Sequence, residues 1–213
     1  MDFDGFQIQL QQALSNPLPG FDAQSTMAPP HRMKPDVQAP YYNSARKGGV
    51  LVLFYPHEGT IKTVLIKRPE YDGVHSKQVA FPGGKHEEGD NSLIDTALRE
   101  AHEEIGVHPS MVEVVGELSR LYIPPSNFLV TPVVAITSQR PNFILQEEEV
   151  AGILEPSLYT LLDDELVENH TIQVREFVIE SPGIDIDGNI IWGATAMMIG
   201  ELKVIVNSFL PAK

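Results

Sequence analysis

The segment GGKHEEGDNSLIDTALREAHEEIGV, residues 83–107, constrains this chain most, because it fixes both ends of one helix and the directions its faces point. Asp90, Asn91 and Ser92 offer N-caps and Gly106 is a natural stop, so a helix is expected over residues 92–106. On a helical wheel Leu93, Ile94, Ala97, Leu98, Ala101 and Ile105 form one apolar stripe that must face a core. Arg99 and Glu103 fall on the opposite side, one turn apart, and can pair. Glu100 and Glu104 are also a turn apart, but they lie at the edge of the stripe, with Glu104 nearly inside it. Charge runs usually form a solvated face. A solvated face would not place carboxylates beside the apolar stripe, where burial without a partner is expensive. The glycine turn just upstream lets backbone carbonyls come close to a ligand. The inward donors are all hard oxygens, which suit Mg²⁺ or Mn²⁺, ions that usually bridge to substrate phosphates. Divalent cations between the glutamates are therefore expected.

The remainder of the chain supplies a sheet for that helix. Phe3, Phe6, Leu10 and Leu14 are at helical spacing, and the following stretch to Pro40 is proline-rich, an extended arm or a linker. GVLVLFY and KTVLIKR are β-branched apolar runs separated by PHEGT, which predicts a hairpin. Strands are expected at Gln78–Phe81, VEVVGEL, FLVTPVVAI, TIQVREFVIE and NIIW, the last two joined by an Asp187-Gly188 turn. EVAGILEPSLYTLL predicts a strand passing into a short helix at Pro156, and residues 192–207 a closing helix. This order predicts an α/β fold, a mixed sheet with helices packed on its faces. The division expected is an N-terminal helix and arm over residues 1–45 and one domain over 46–213.

A formal charge of −14 argues against general nucleic-acid binding, which needs clustered Lys and Arg. It leaves room for a small anionic substrate held by metal and a few local cations. There is no cysteine, so neither a disulfide nor a thiolate metal site is possible. No apolar run reaches the length of a membrane span, and the start lacks the order of a signal peptide, so a cytoplasmic protein with no membrane partner is expected.

Gly84 followed by Arg99-Glu100-Ala101-His102-Glu103-Glu104-Ile105-Gly106-Val107 resembles the box of the Nudix hydrolase family, G-x5-E-x7-R-E-U-x-E-E-x-G-U with U aliphatic. The second half departs only at Ala101. The loop carries one residue more than the pattern, and Asp90 or Asn91 stands where the pattern has its first glutamate. The resemblance implies a Nudix-type α/β/α sandwich with a mixed β-sheet, and cleavage of a nucleoside diphosphate derivative by water attack at phosphorus. It implies Glu100, Glu103 and Glu104 as Mg²⁺ or Mn²⁺ ligands, joined by the carbonyl of Gly84, with Arg99 holding the glutamates in place. The general base implied is Glu100 or a residue of a later loop, for which Glu149 in the run Glu147-Glu148-Glu149 is the candidate. A solvated loop is the equally weighted alternative for that run.

RPEYDGVHSKQVAFPGGK, residues 68–85, is similar to the segment preceding the box in coenzyme A pyrophosphatases. Leu65, Arg68, Val79 and Phe81-Pro82-Gly83-Gly84 match, while Ile66, Pro69, Gly73 and Lys77 depart. IPPSNFLVTPVV (123–134) and IWGATAMM (191–198) resemble the same subgroup. It implies coenzyme A or an acyl-coenzyme A as substrate, giving 4′-phosphopantetheine and adenosine 3′,5′-bisphosphate. Arg68 and Lys85 are the candidate phosphate-binding cations. Ser76 and Gln78 are candidate substrate contacts or strand-edge polar groups, and Lys77 reads as a surface residue. His75, His86 and His102 lack ligand spacing and read as ordinary loop or surface residues. ADP-ribose or a dinucleoside polyphosphate is the alternative substrate, and a non-catalytic Nudix-fold nucleotide-binding protein the alternative of another class. Dimers are common in the family, and the 1–45 extension is a candidate to serve a homodimer.

Overall fold

The apolar run after Gly49 forms the middle of the molecule. The computed structural model describes residues 1–30, 32, 34, 38–70, 78–174 and 176–210. In chain order its elements are α1 (Phe3–Leu14), α2 (Phe21–Gln24), β1 (Arg46–His57), β2 (Thr60–Thr63), β3 (Leu65–Lys67), β4 (Val79–Ala80) and β5 (Gly83–Lys85). Then come α3 (Leu93–Ile105), β6 (Glu113–Glu117), β7 (Leu121–Ile123), β8 (Phe128–Ile136), β9 (Gly152–Leu154) and α4 (Leu158–Leu162). The chain closes with β10 (Val167–Val174), β11 (Phe177–Ile186), β12 (Asn189–Trp192) and α5 (Gly193–Asn207).

Leu51 through Tyr55 are all fully buried, which a strand achieves only when both its faces are covered. Alternation sends them to different cores. Val52 and Phe54 pack with Phe6 and Leu10 of α1 and with Met197 and Leu202 of α5. Leu51, Leu53 and Tyr55 pack with Ala97, Ala101 and Ile105 of α3. The helices therefore lie on both faces of the sheet, as the sequence predicts. β1 runs parallel to β8, from Arg46↔Phe128 to Phe54↔Ile136, and antiparallel to β2 and β5, so the sheet is mixed.

The predicted hairpin forms, with Glu58 (φ 51°) and Gly59 (φ 75°) at its tip in the left-handed region that the two-residue turn requires. Its second arm divides after Thr63: β2 stays beside β1, whereas β3 pairs with β4 and β9 in a separate three-stranded sheet. One expectation is corrected. TIQVREFVIE is not one strand but the end of β10 and the start of β11, folded back with Val174 opposite Phe177. Its alternating pattern runs through the turn without a Gly or Asn-Gly signal, so periodicity alone gives no break. The Asp187-Gly188 turn between β11 and β12 is as expected, with both residues at positive φ.

Residues 1–28 share the main core. Phe6 is completely buried, edge-on to Phe54 at 5.5 Å, and packs near Phe209 beyond α5. Glu201 of α5, also fully buried, accepts from Gly20 N at 3.1 Å, Gln24 Nε2 at 2.9 Å and Ser119 N at 3.2 Å. Among the described residues no helix is long and apolar enough to cross a membrane.

Candidate active site

α3 starts and stops as its sequence dictates. Ser92 Oγ accepts from Asp95 N at 3.1 Å, and Gly106 closes the last turn in the left-handed conformation at φ 73°. Ala97, Ala101 and Ile105 turn into the core, and this orientation carries Glu100 and Glu104 toward the strand β5. That strand approaches closely because glycines stand at the contact: Gly49 faces Gly84, and Gly83 faces Val50. A Cβ on Gly83 would fall 2.4 Å from the carbonyl oxygen of Gly49.

Glu104 is 1% exposed, the buried edge position that the helical wheel indicates. It accepts from Gly83 N at 2.8 Å and lies 3.7 Å from Arg68. Burial pushes its carboxyl up to about 7, against the opposing pull of Arg68 and the Gly83 N–H and with the negative charges of Glu100 and Glu149 adding to the rise. Glu100 is also raised by burial, with Arg99 opposing. Its carboxylate lies directly over Gly84, where an added Cβ would come within 2.5 Å of it.

Arg99 is the organising cation on the outer side. It holds Asp90 bidentately, through Nε to Oδ1 at 2.9 Å and Nη2 to Oδ2 at 3.0 Å. Nη1 reaches Glu100 at 3.0 Å and Glu103 at 2.9 Å, and Nη2 donates to the Lys85 carbonyl at 3.0 Å. The hydrogen bonds from Arg99 hold the Asp90 carboxyl well below the usual carboxylate range, against the effect of burial. Asp90, rather than Asn91, is thus the loop residue turned toward the helix; Asn91 gives its N–H to Asp95.

A cavity of about 670 Å³ opens beside this turn. Arg68, Gln78, Gly84, Lys85, Glu100, Glu104 and Glu149 all line it. Arg99 and Glu103 do not: Glu103 is more than half exposed and rests on Arg99. Ser76, with Gly73, His75 and Lys77, lies outside the described residues. His86 meets Thr96 at 3.0 Å and His102 packs edge-on to His108, so each has an ordinary local partner. Apolar side chains make up much of the remaining lining, among them Ile123, Phe128, Trp192, Met197 and Met198. Arg32 of the N-terminal segment also reaches the lining. No sequence signal pointed to it, because it lies in a proline-rich stretch without periodicity.

Among the described residues, no three His, Cys, Asp or Glu side chains stand gathered around one point. The donor set nevertheless fits a hard divalent cation. A buried carboxylate, Glu104, and a half-buried one, Glu100, face one cavity and repel each other and Glu149 there. Each retains oxygen lone pairs beyond the contacts described.

Residues 45–185 match the family model described as the NUDIX domain. This chain belongs to the Nudix family. It is 40% identical over 153 residues to the Nudix hydrolase NudL of Yersinia enterocolitica, an alignment spanning 68% of this chain and 73% of that protein. A NudL of Yersinia pestis is 38% identical over 141 residues, 65% of this chain and 69% of that one. Among solved structures, the Nudix hydrolase RenU of M. smegmatis superposes with a TM-score of 0.51 at 15% identity, over 79% of this chain and 90% of its own. A MutT/nudix family protein of Enterococcus faecalis gives 0.50 at 17% identity, over 83% and 71%. These likenesses establish the Nudix fold, and the sequence match makes the chain a Nudix hydrolase, an enzyme acting on nucleoside diphosphate derivatives with the help of divalent metal ions.

Proposed function

We propose that this Nudix hydrolase cleaves the pyrophosphate of coenzyme A or an acyl-coenzyme A, releasing 4′-phosphopantetheine and adenosine 3′,5′-bisphosphate. The supporting observation is the mixed lining of one cavity, which joins carboxylates and Arg68 around Gly83–Gly84 with apolar side chains such as Ile123, Phe128, Trp192 and Met198. Such a cavity suits a pyrophosphate joined to an extended, largely uncharged chain. Arg68, Phe81, Gly83 and Gly84, matched positions of the coenzyme A-like segment, line that cavity.

Glu100, Glu103 and Glu104, with the Gly84 carbonyl, would hold Mg²⁺ or Mn²⁺, which when bound neutralises phosphate charge and activates water. Glu103 would leave Arg99 to take part. Arg99, fixed by Asp90, sets the orientation of Glu100. Arg68 and Lys85 present cations to phosphate oxygens, and Gln78 and Ser76 contact the substrate. Glu100 is suited to accept a proton, because burial raises its basicity while its carboxylate stays in the cavity. Glu149, in the same lining, is the second candidate for that role.

The test is a hydrolysis panel of coenzyme A, acetyl-coenzyme A, ADP-ribose, NADH and diadenosine polyphosphates with Mg²⁺ and then Mn²⁺, products separated by chromatography. Adenosine 3′,5′-bisphosphate should appear from coenzyme A, and Glu100→Gln should lower its rate about a hundredfold or more. Cleavage of ADP-ribose or a dinucleoside polyphosphate alone would sink the coenzyme A reading and keep the family chemistry. Nucleotide binding without hydrolysis of any compound would favour a non-catalytic protein.

A further inference from the structure

Among the described residues of this acidic protein, Arg32 is a cation without a carboxylate partner. Arg99 rests on Asp90, Arg140 on Glu155 and Arg68 beside Glu104. Among the described residues Arg32 has no such partner; its Nη2 donates to the Tyr122 carbonyl, and its Nε is buried without a hydrogen bond. Ser126 Oγ is likewise buried and unpaired, and both residues line the cavity. A half-buried guanidinium with an idle donor is costly unless something negative arrives.

Its position separates it from the glutamates. Tyr122 lies on β7, which pairs with β8, which pairs with β1, which pairs with β5, the strand under Glu100 and Glu104. Three strand spacings amount to about 14 Å, so one phosphate cannot serve both ends. The planar fork of Arg32 and the hydroxyl of Ser126 suit a tetrahedral, multiply charged oxyanion.

We infer that Arg32 and Ser126 form a second anion subsite, which binds a phosphomonoester on the substrate while the scissile pyrophosphate lies at the Gly83–Gly84 end. The inference rests on the reading of this cavity as the substrate cavity. It makes the N-terminal segment, which precedes the matched NUDIX region at 45–185, a determinant of specificity. The substrate class is then a nucleoside diphosphate derivative that is also phosphorylated on its ribose.

Calorimetric titration of the full chain with adenosine 3′,5′-bisphosphate and with AMP, in Mg²⁺, reads this subsite without requiring turnover. The bisphosphate should bind about tenfold more tightly than AMP. Arg32→Gln should bring the two affinities together, and Arg32→Lys, which keeps the charge but not the fork, should leave an intermediate ratio. Equal affinities in the unaltered protein, or an unchanged ratio in a folded Arg32→Gln, would overturn the subsite. If Arg32→Gln fails to fold, as circular dichroism would reveal, the unaltered protein and Arg32→Lys still decide. A ratio of one alongside coenzyme A hydrolysis removes the subsite and leaves the proposed function standing. A tenfold ratio in a protein that ignores coenzyme A supports the subsite and removes that substrate.

Discussion

Two neighbouring glycines at the turn have different duties. At Gly83 (φ +154°) a methyl group meets the backbone of Gly49 and Val50, which cannot yield, so Gly83→Ala should cost about 3 kcal/mol or more in urea unfolding. At Gly84 the nearest atoms are those of the Glu100 carboxylate, the end of a side chain that can shift. Gly84→Ala should therefore melt close to the unaltered protein but lose most of its turnover, a separation that paired melting and rate measurements would display. Asp90 carries an acid dependence. Its folded pKa is depressed, so its contribution is complete above its ordinary value of 3.8 and is lost as pH falls toward the depressed one. Between about pH 5 and pH 3 the melting temperature of Asp90→Asn should fall less steeply than that of the unaltered protein. The wheel made Glu104 legible in the sequence because helical geometry is local. Arg32 was not legible, since its role depends on which strand the N-terminal segment happens to cross.

At the level of elements, α3 and the β1–β2 hairpin were readable because caps and turn residues state their ends outright. β5 was not, because a strand made of Gly-Gly-Lys has no strand propensity; its glycines answer to the close approach of β1. β10 and β11 merged in the sequence for want of a turn signal. α1 was readable as a helix, yet nothing in its pattern said how deeply it would bury. Phe6→Ala should cost about 3–5 kcal/mol in urea unfolding, as for a fully enclosed aromatic side chain. A cost under about 1 kcal/mol would mean that α1 lies on the core rather than in it.

For the molecule as a whole, the N-terminal segment is pinned by a buried carboxylate with amide partners and no described ion pair. Glu201→Ala strands the N–H groups of Gly20, Gln24 and Ser119. The expected outcome is faster proteolytic cleavage within residues 15–30 under native conditions. If Arg32 acts as inferred, the affinity for adenosine 3′,5′-bisphosphate falls with it. Cleavage at the unaltered rate would show that the pin is dispensable.

The alternation of β1 has a consequence for inheritance. Leu51, Leu53 and Tyr55 support the helix that carries the glutamates, while Val52 and Phe54 support α1 and α5. Adjacent codons thus answer to different selections, one to chemistry and the next to the hold on the N-terminal segment. A library randomised across these five positions should separate, residue by residue, into variants that stay folded but slow and variants that lose selectivity before they lose rate.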